Sequence, residues 1–128
     1  MKLSKAEEQL MEIIWKLENG YFKDIIDRYP EPKPATTTVV TLLKRMQEKG
    51  AVAFDLFGNS RRYYPLISKN DYFKKQMSGI VKDFFGDSAL QFASFFTTSG
   101  SLSTKELEEL KKIVEQEIKR QQDDYLSD

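Results

Sequence analysis

The chain has 128 residues, 20 Lys+Arg against 20 Asp+Glu, and neither histidine nor cysteine. That composition excludes thiol nucleophiles, Ser-His triads, imidazole acid–base chemistry, haem ligation, zinc fingers and disulfides, so no catalytic residue, metal site or cofactor is expected. A formal net charge of zero argues against a chain that is basic throughout.

In chain order, the opening Met1-Lys2-Leu3-Ser4-Lys5-Ala6-Glu7-Glu8 lacks the apolar core of a signal peptide. No apolar run is longer than Ala51–Phe54, so no membrane span is predicted and a cytoplasmic location is expected. The first helix is predicted from about Lys5 to Asn19, with Leu3, Ala6, Leu10, Ile13, Ile14 and Leu17 on one face. Ser4 and Glu7 form a capping signature at its start, and Gly20 is its expected stop. A short second helix, about Phe22 to Tyr29, ends at Pro30. Pro30-Glu31-Pro32-Lys33-Pro34 cannot be helical in its middle, because proline lacks a donor and restricts the residue before it. Pro34 suits the first turn of a third helix that reaches Lys49 and stops at Gly50. The period then changes from 3.6 to 2, which predicts a hairpin of Ala51–Phe57 and Arg61–Ile67 turning at Gly58-Asn59-Ser60.

A boundary near Ser68 separates residues 1–68 from a helical region, 69–128, with capping signatures at Ser68/Asp71 and Ser103/Glu106. Tyr72, Phe73, Phe84, Phe85, Phe92, Phe95 and Phe96 make this stretch aromatic. A polar connector, Thr97–Ser101, precedes a last helix from about Thr104 to Gln122, on which Glu108–Lys112 and Glu115–Lys119 can pair.

Three helices followed by a two-stranded hairpin is the order of a winged helix-turn-helix. On the third helix Val39, Leu42, Leu43 and Met46 fall on one arc and read as core. Thr37, Thr38, Thr41, Lys44, Arg45 and Glu48 fall opposite. Threonine approaches a base edge or a thymine methyl closely, whereas lysine and arginine neutralise phosphates. Charge follows the same map: residues 33–62 carry six cations against two acids, while the segments on either side are each net −2. Lys33, Thr36, Thr37, Thr38, Thr41, Lys44, Arg45, Arg61 and Arg62 are therefore the candidate contacts to double-stranded DNA.

Thr38-Val39-Val40-Thr41-Leu42-Leu43-Lys44-Arg45-Met46-Gln47-Glu48-Lys49-Gly50, with a wing ending Arg61-Arg62-Tyr63-Tyr64-Pro65, resembles the BlaI/MecI/CopY penicillinase-repressor family. So do Leu3–Glu8 with Ile14-Trp15, and Leu102–Leu110 near the end. The resemblance implies a mainly α fold with a small β-hairpin, in which an N-terminal winged helix-turn-helix is followed by an all-helical dimerisation region. It further implies a homodimeric repressor of transcription on a palindromic operator, with Thr38 and Thr41 at base-reading positions. Thr37 departs from the pattern, standing where relatives carry a lysine. The dimer would be built from Phe84, Phe85, Phe92, Phe95, Phe96, Leu107, Leu110, Ile113, Val114 and Ile118. The copper-responsive branch needs a cysteine pair that this chain lacks. In the β-lactam-responsive branch a membrane sensor metalloprotease triggers cleavage, which by counting back from Leu102-Ser103 would fall near Phe95-Phe96. The asparagine that precedes phenylalanine in relatives is absent.

Other readings predict different behaviour. A regulator with a small-molecule pocket among the C-terminal phenylalanines would be stabilised by its effector. A winged helix that binds only protein would have no salt-dependent affinity for DNA. An enzyme working through carboxylates or a Ser-Lys pair has no supporting spacing.

Overall fold

Ser4 opens the first helix with both halves of a capping box. Its hydroxyl accepts from the Glu7 N–H at 3.2 Å, and its own N–H donates to the Glu7 carboxylate at 2.9 Å. In the computed structural model, which describes residues 1–127, this helix is α1 (Lys5–Leu17). It ends earlier than the glycine suggests: Glu18 takes the positive φ of 64° and its N–H donates to the Ile14 carbonyl. Gly20 instead lies in a two-residue strand, β1 (Gly20–Tyr21), where a Cβ would meet Leu17 Cδ1 at 2.8 Å. The glycine leaves room for the Leu17 and Ile25 side chains rather than stopping a helix.

The remaining N-terminal elements are α2 (Phe22–Arg28), α3 (Thr36–Glu48), β2 (Val52–Phe57) and β3 (Ser60–Pro65). Pro34 lies outside α3, whose N-cap is Ala35. β2 and β3 pair antiparallel from Val52↔Pro65 to Phe57↔Ser60, leaving only Gly58-Asn59 as the turn. Gly58, at φ +63°, supplies the left-handed position that a tight hairpin needs. β1 adds to the other side of β3 through Gly20↔Tyr63 and Tyr21↔Arg62, giving the sheet order β1-β3-β2. The wing is thus three-stranded, one strand more than the hairpin pattern predicts.

The chain divides into two compact units, Met1–Met77 and Ser78 onward. In the first, Leu10, Met11 and Ile14 of α1, Ile25 of α2, Val39, Leu43 and Met46 of α3, and Val52 of β2 form the buried core. The fourth helix, α4 (Lys69–Phe84), begins within this unit. Tyr72 is 1% exposed; its hydroxyl donates to Glu8 at 2.7 Å and accepts from the Leu3 N–H at 3.2 Å. Burial and the Glu8 bond both push the Tyr72 phenol up from its ordinary value. Lys69 pairs with Glu12 at 2.5 Å, and the Trp15 indole donates to the Ile67 carbonyl at 2.9 Å. The compact unit therefore extends past the Ser68 boundary read from the sequence.

In the second unit, α5 (Ala89–Thr98) is capped by Ser88, whose hydroxyl accepts from the Gln91 N–H at 3.1 Å. Thr97 and Thr98 belong to α5, so the connector is shorter and later than the one expected at Thr97–Ser101. Phe85 packs against Phe92 and Phe95, with centroids 5.4 and 5.6 Å apart, and Phe92 stacks on Phe96 at 6.3 Å. The last helix, α6 (Thr104–Ser127), starts with the expected Ser103/Glu106 capping box and runs five residues beyond Gln122. Among the described residues its ion pairs are Arg120 with Glu117 and with Asp124, not Glu108–Lys112 or Glu115–Lys119. One guanidinium fork thus bridges a carboxylate on the turn before it and another on the turn after it. The Glu117 carboxyl is lowered to about 2 by Arg120 and then Gln121. No described helix is long and apolar enough to cross a membrane.

Candidate nucleic-acid interface

The placement of α3 follows from its own pattern. Val39, Leu42, Leu43 and Met46 are buried, so the helix is held by one stripe and its other face is left to solvent. Thr36, Thr37, Thr38, Thr41, Lys44 and Arg45 are all exposed, as the helical period predicts. Among the described residues, no ion pair engages Lys44 or Arg45. The Thr41 hydroxyl donates back to the Thr37 carbonyl at 3.0 Å. Its oxygen therefore keeps acceptor capacity toward solvent, and its methyl is fixed by the same bond.

Lys33 stands apart from this group. Its ammonium donates to the carbonyls of Ile26 at 3.1 Å, Asp27 at 3.1 Å and Tyr29 at 2.9 Å. A cation at the C-terminal end of α2 satisfies orphan carbonyls and complements the helix dipole. This side chain fastens the proline connector to α2, which in turn sets where α3 begins.

On the wing, successive side chains alternate between the two faces of the sheet. Arg61 shares a face with Phe54 and Tyr63, and its guanidinium carbon sits 4.3 Å from the Phe54 ring centroid. Arg62 shares the other face with Phe57 and Tyr21, and lies 4.1 Å from the Phe57 centroid. Tyr21 meets Phe57 edge-on at 6.5 Å. Each cation sits over a ring, an arrangement worth roughly 0.5–1 kcal/mol at exposed sites. Arg62 is half-buried, with Nε enclosed and lacking a partner, whereas Arg61 is exposed. Both keep guanidinium donors at the wing for an anion such as phosphate.

Between α3 and the wing lies a cleft lined by Tyr21, Phe22, Lys23, Val40, Ser60 and Arg61, among others. Lys23 and Val40 are absent from the residues that the sequence points to. Lys23 lies in a segment whose net charge is negative, so regional counting hides it. Val40 falls on the flank of α3, outside both the core arc and the threonine–cation arc. Its signal was an apolar residue with no core position to explain it: it is 54% exposed.

Most of the expected dimer residues of the second unit are exposed in the single chain, whereas Phe85, Phe92 and Leu110 are half-buried. Phe84 is 77% exposed, Phe95 60%, Ile113 61% and Ile118 51%. Phe95-Phe96, the expected cleavage position, lies inside α5 rather than in a loop.

Known proteins match this chain over most of its length. A family model described as penicillinase repressor matches residues 3–116. The penicillinase repressor of Bacillus licheniformis is 25% identical over 123 residues, spanning 95% of this chain and 96% of that protein. The methicillin resistance regulatory protein MecI of Staphylococcus aureus (strain N315) is 25% identical over 114 residues, 88% of this chain and 93% of that protein. Among solved structures, the solution structure of the DNA binding domain of the repressor BlaI superposes with a TM-score of 0.50 at 29% identity. It covers 56% of this chain and 88% of that one, and it bears out the winged helix-turn-helix.

Proposed function

The chain belongs to the penicillinase repressor family, and on that premise we propose that it represses transcription as a homodimer bound to a palindromic DNA operator. The observation that carries this reading is the surface of α3: exposed threonines, and cations that no ion pair engages among the described residues, back directly onto a buried stripe. Thr37, Thr38 and Thr41 face base edges in the major groove, and Lys44 and Arg45 contact phosphate. Arg61 and Arg62 bind the backbone from the wing, and Lys23 joins them from the start of α2. Lys33 and Thr36 support this surface from the entry to α3.

The homodimer is supported by the uncovered apolar side chains of the second unit. Leu107, Leu110, Val114 and Ile118 recur at helical spacing on α6, and a stripe of this size in water favours a partner. Phe84, Phe85, Phe92, Phe95, Phe96 and Ile113 contribute further apolar surface from the same unit. Two copies joined there present two recognition helices to two half-sites, the symmetry that a palindrome matches.

Release from DNA by cleavage at Phe95-Phe96, under a membrane sensor metalloprotease, follows the family's β-lactam-responsive branch. Both rings are well exposed, and cutting there would separate α6 from the rest of the chain. Since the bond is helical, α5 must unwind locally before a protease can hold it extended.

The test is equilibrium binding of the full chain to a duplex selected from a random pool, over a range of salt. The expected result is a linear fall of log affinity with log salt, of slope near −0.9 for each phosphate contacted. Salt-independent binding, or no selection of any sequence, refutes the reading. Analytical ultracentrifugation tests the homodimer separately.

A further inference from the structure

We infer that Val40 is a specificity residue that reads the methyl group of a thymine, a role that rests on the DNA-binding reading above and sharpens it. Val40 sits on α3 between the core stripe and the threonine face, one residue before Thr41 and one turn from Thr37 and Lys44. It is 54% exposed, so packing inside the chain does not account for an apolar side chain there. Helix propensity does not account for it either, since β-branched residues are among the poorer helix formers. It lines a cleft together with Tyr21, Phe22, Lys23 and Arg61, among others. Exposed cations beside apolar surface suit a duplex whose phosphates meet Lys23 and Arg61 while the base edges of its major groove meet α3.

The chemistry then selects the base. In the major groove, guanine, cytosine and adenine present only hydrogen-bond donors and acceptors at their edges, and thymine alone adds an apolar group, its C5-methyl. An apolar, hydroxyl-free side chain gains nothing from the other three edges and leaves their polar atoms without partners. Valine also has one strongly preferred χ1 in a helix, so it gives up little freedom when it is fixed against a methyl group.

The experiment uses the full chain and duplexes selected from a random pool. Each thymine of one half-site is replaced in turn by deoxyuridine, which removes the methyl and changes no hydrogen bond. The expected result is one thymine whose replacement weakens wild-type binding about fourfold, the equivalent of the ~0.8 kcal/mol of a buried methyl-sized group. In Val40→Ala that penalty at that thymine shrinks toward onefold, while penalties elsewhere in the half-site persist. Val40→Thr, which keeps one methyl and the same shape, retains part of it and guards against loss of folding. The inference is overturned if no thymine carries a penalty, or if Val40→Ala leaves the penalty intact, as a contact to the sugar alone would. Absence of any sequence-selected, salt-sensitive binding by the wild type refutes the DNA-binding reading as well, and so is a distinguishable result.

Discussion

Thr41, Arg61 and Glu7 show three separate uses of a polar side chain within one unit. Thr41 is oriented by its bond to the Thr37 carbonyl, which leaves an acceptor and a methyl outward. Thr41→Ala is expected to cost about 1–3 kcal/mol of discrimination for each base that the side chain no longer touches. The check is the ratio of affinities for a selected and a random duplex; equal losses on both would contradict base reading. Arg61 is exposed over Phe54, and the phosphate contact proposed for it is one that every sequence offers. Arg61→Ala is expected to weaken all duplexes alike and to lower the salt slope by about one, read from the same titrations. Glu7 is 2% exposed and takes the Lys49 ammonium at 2.7 Å together with the Ser4 N–H. Burial alone pushes its carboxyl up, but the Lys49 and Ser4 bonds outweigh that and hold it below its ordinary value of 4.5. A carboxyl lowered in the folded state adds stability that is fully present above that ordinary value and is lost as the pH falls through the lowered one. Urea midpoints of wild type and Glu7→Gln are therefore expected to differ at pH 7 and to converge in acid.

At the scale of elements, the legible features were those with local causes. The α3 core stripe follows from spacing alone, and the capping boxes at Ser4 and Ser103 from side chains three residues apart. The strand β1 was not legible, because two residues carry no alternation; only pairing with Tyr63 and Arg62 makes Gly20–Tyr21 a strand. Lys33 likewise looked like one more cation of the basic segment, and its three carbonyl partners lie up to seven residues back, around the proline connector. The start of α4 was legible from Ser68, whose hydroxyl accepts from Asp71 at 3.1 Å, but its attachment to α1 was not. That attachment runs through the Tyr72 hydroxyl, bonded to both Leu3 and Glu8. Tyr72→Phe keeps the ring and removes both bonds, leaving a buried N–H unpaired. A loss of about 1–3 kcal/mol is expected, measured as a shift of the urea midpoint at unchanged m-value.

For the whole molecule, Tyr72 ties the start of α4 into the first compact unit. A fragment of residues 1–77 keeps this ring and the Lys69–Glu12 pair, and is expected to fold as a monomer. Its affinity for a palindrome should fall about 10²–10⁴-fold once the two half-sites are no longer bound by linked units. A fragment of residues 1–68 loses the ring and should be about 3–5 kcal/mol less stable, as for other aromatic deletions in cores. Denaturation of the two fragments, with operator binding of the first, checks both statements; equal stabilities would remove Tyr72 from the unit.

The sequence by itself determined the order of elements and where the positive charge lies along the chain. Without histidine or cysteine the common catalytic and soft-metal sites cannot be assembled, and net zero charge resolves into a basic segment at α3 and the wing. Helix period, strand alternation and capping residues are local, so they can be read along the chain. Tertiary structure alone decided that Lys33 is held by three carbonyls, that the wing has a third strand, that Tyr72 belongs to the first core, and that Val40 shares a cleft with the wing. Each of these depends on groups brought together from distant positions or across a turn, and no spacing within a single element encodes them.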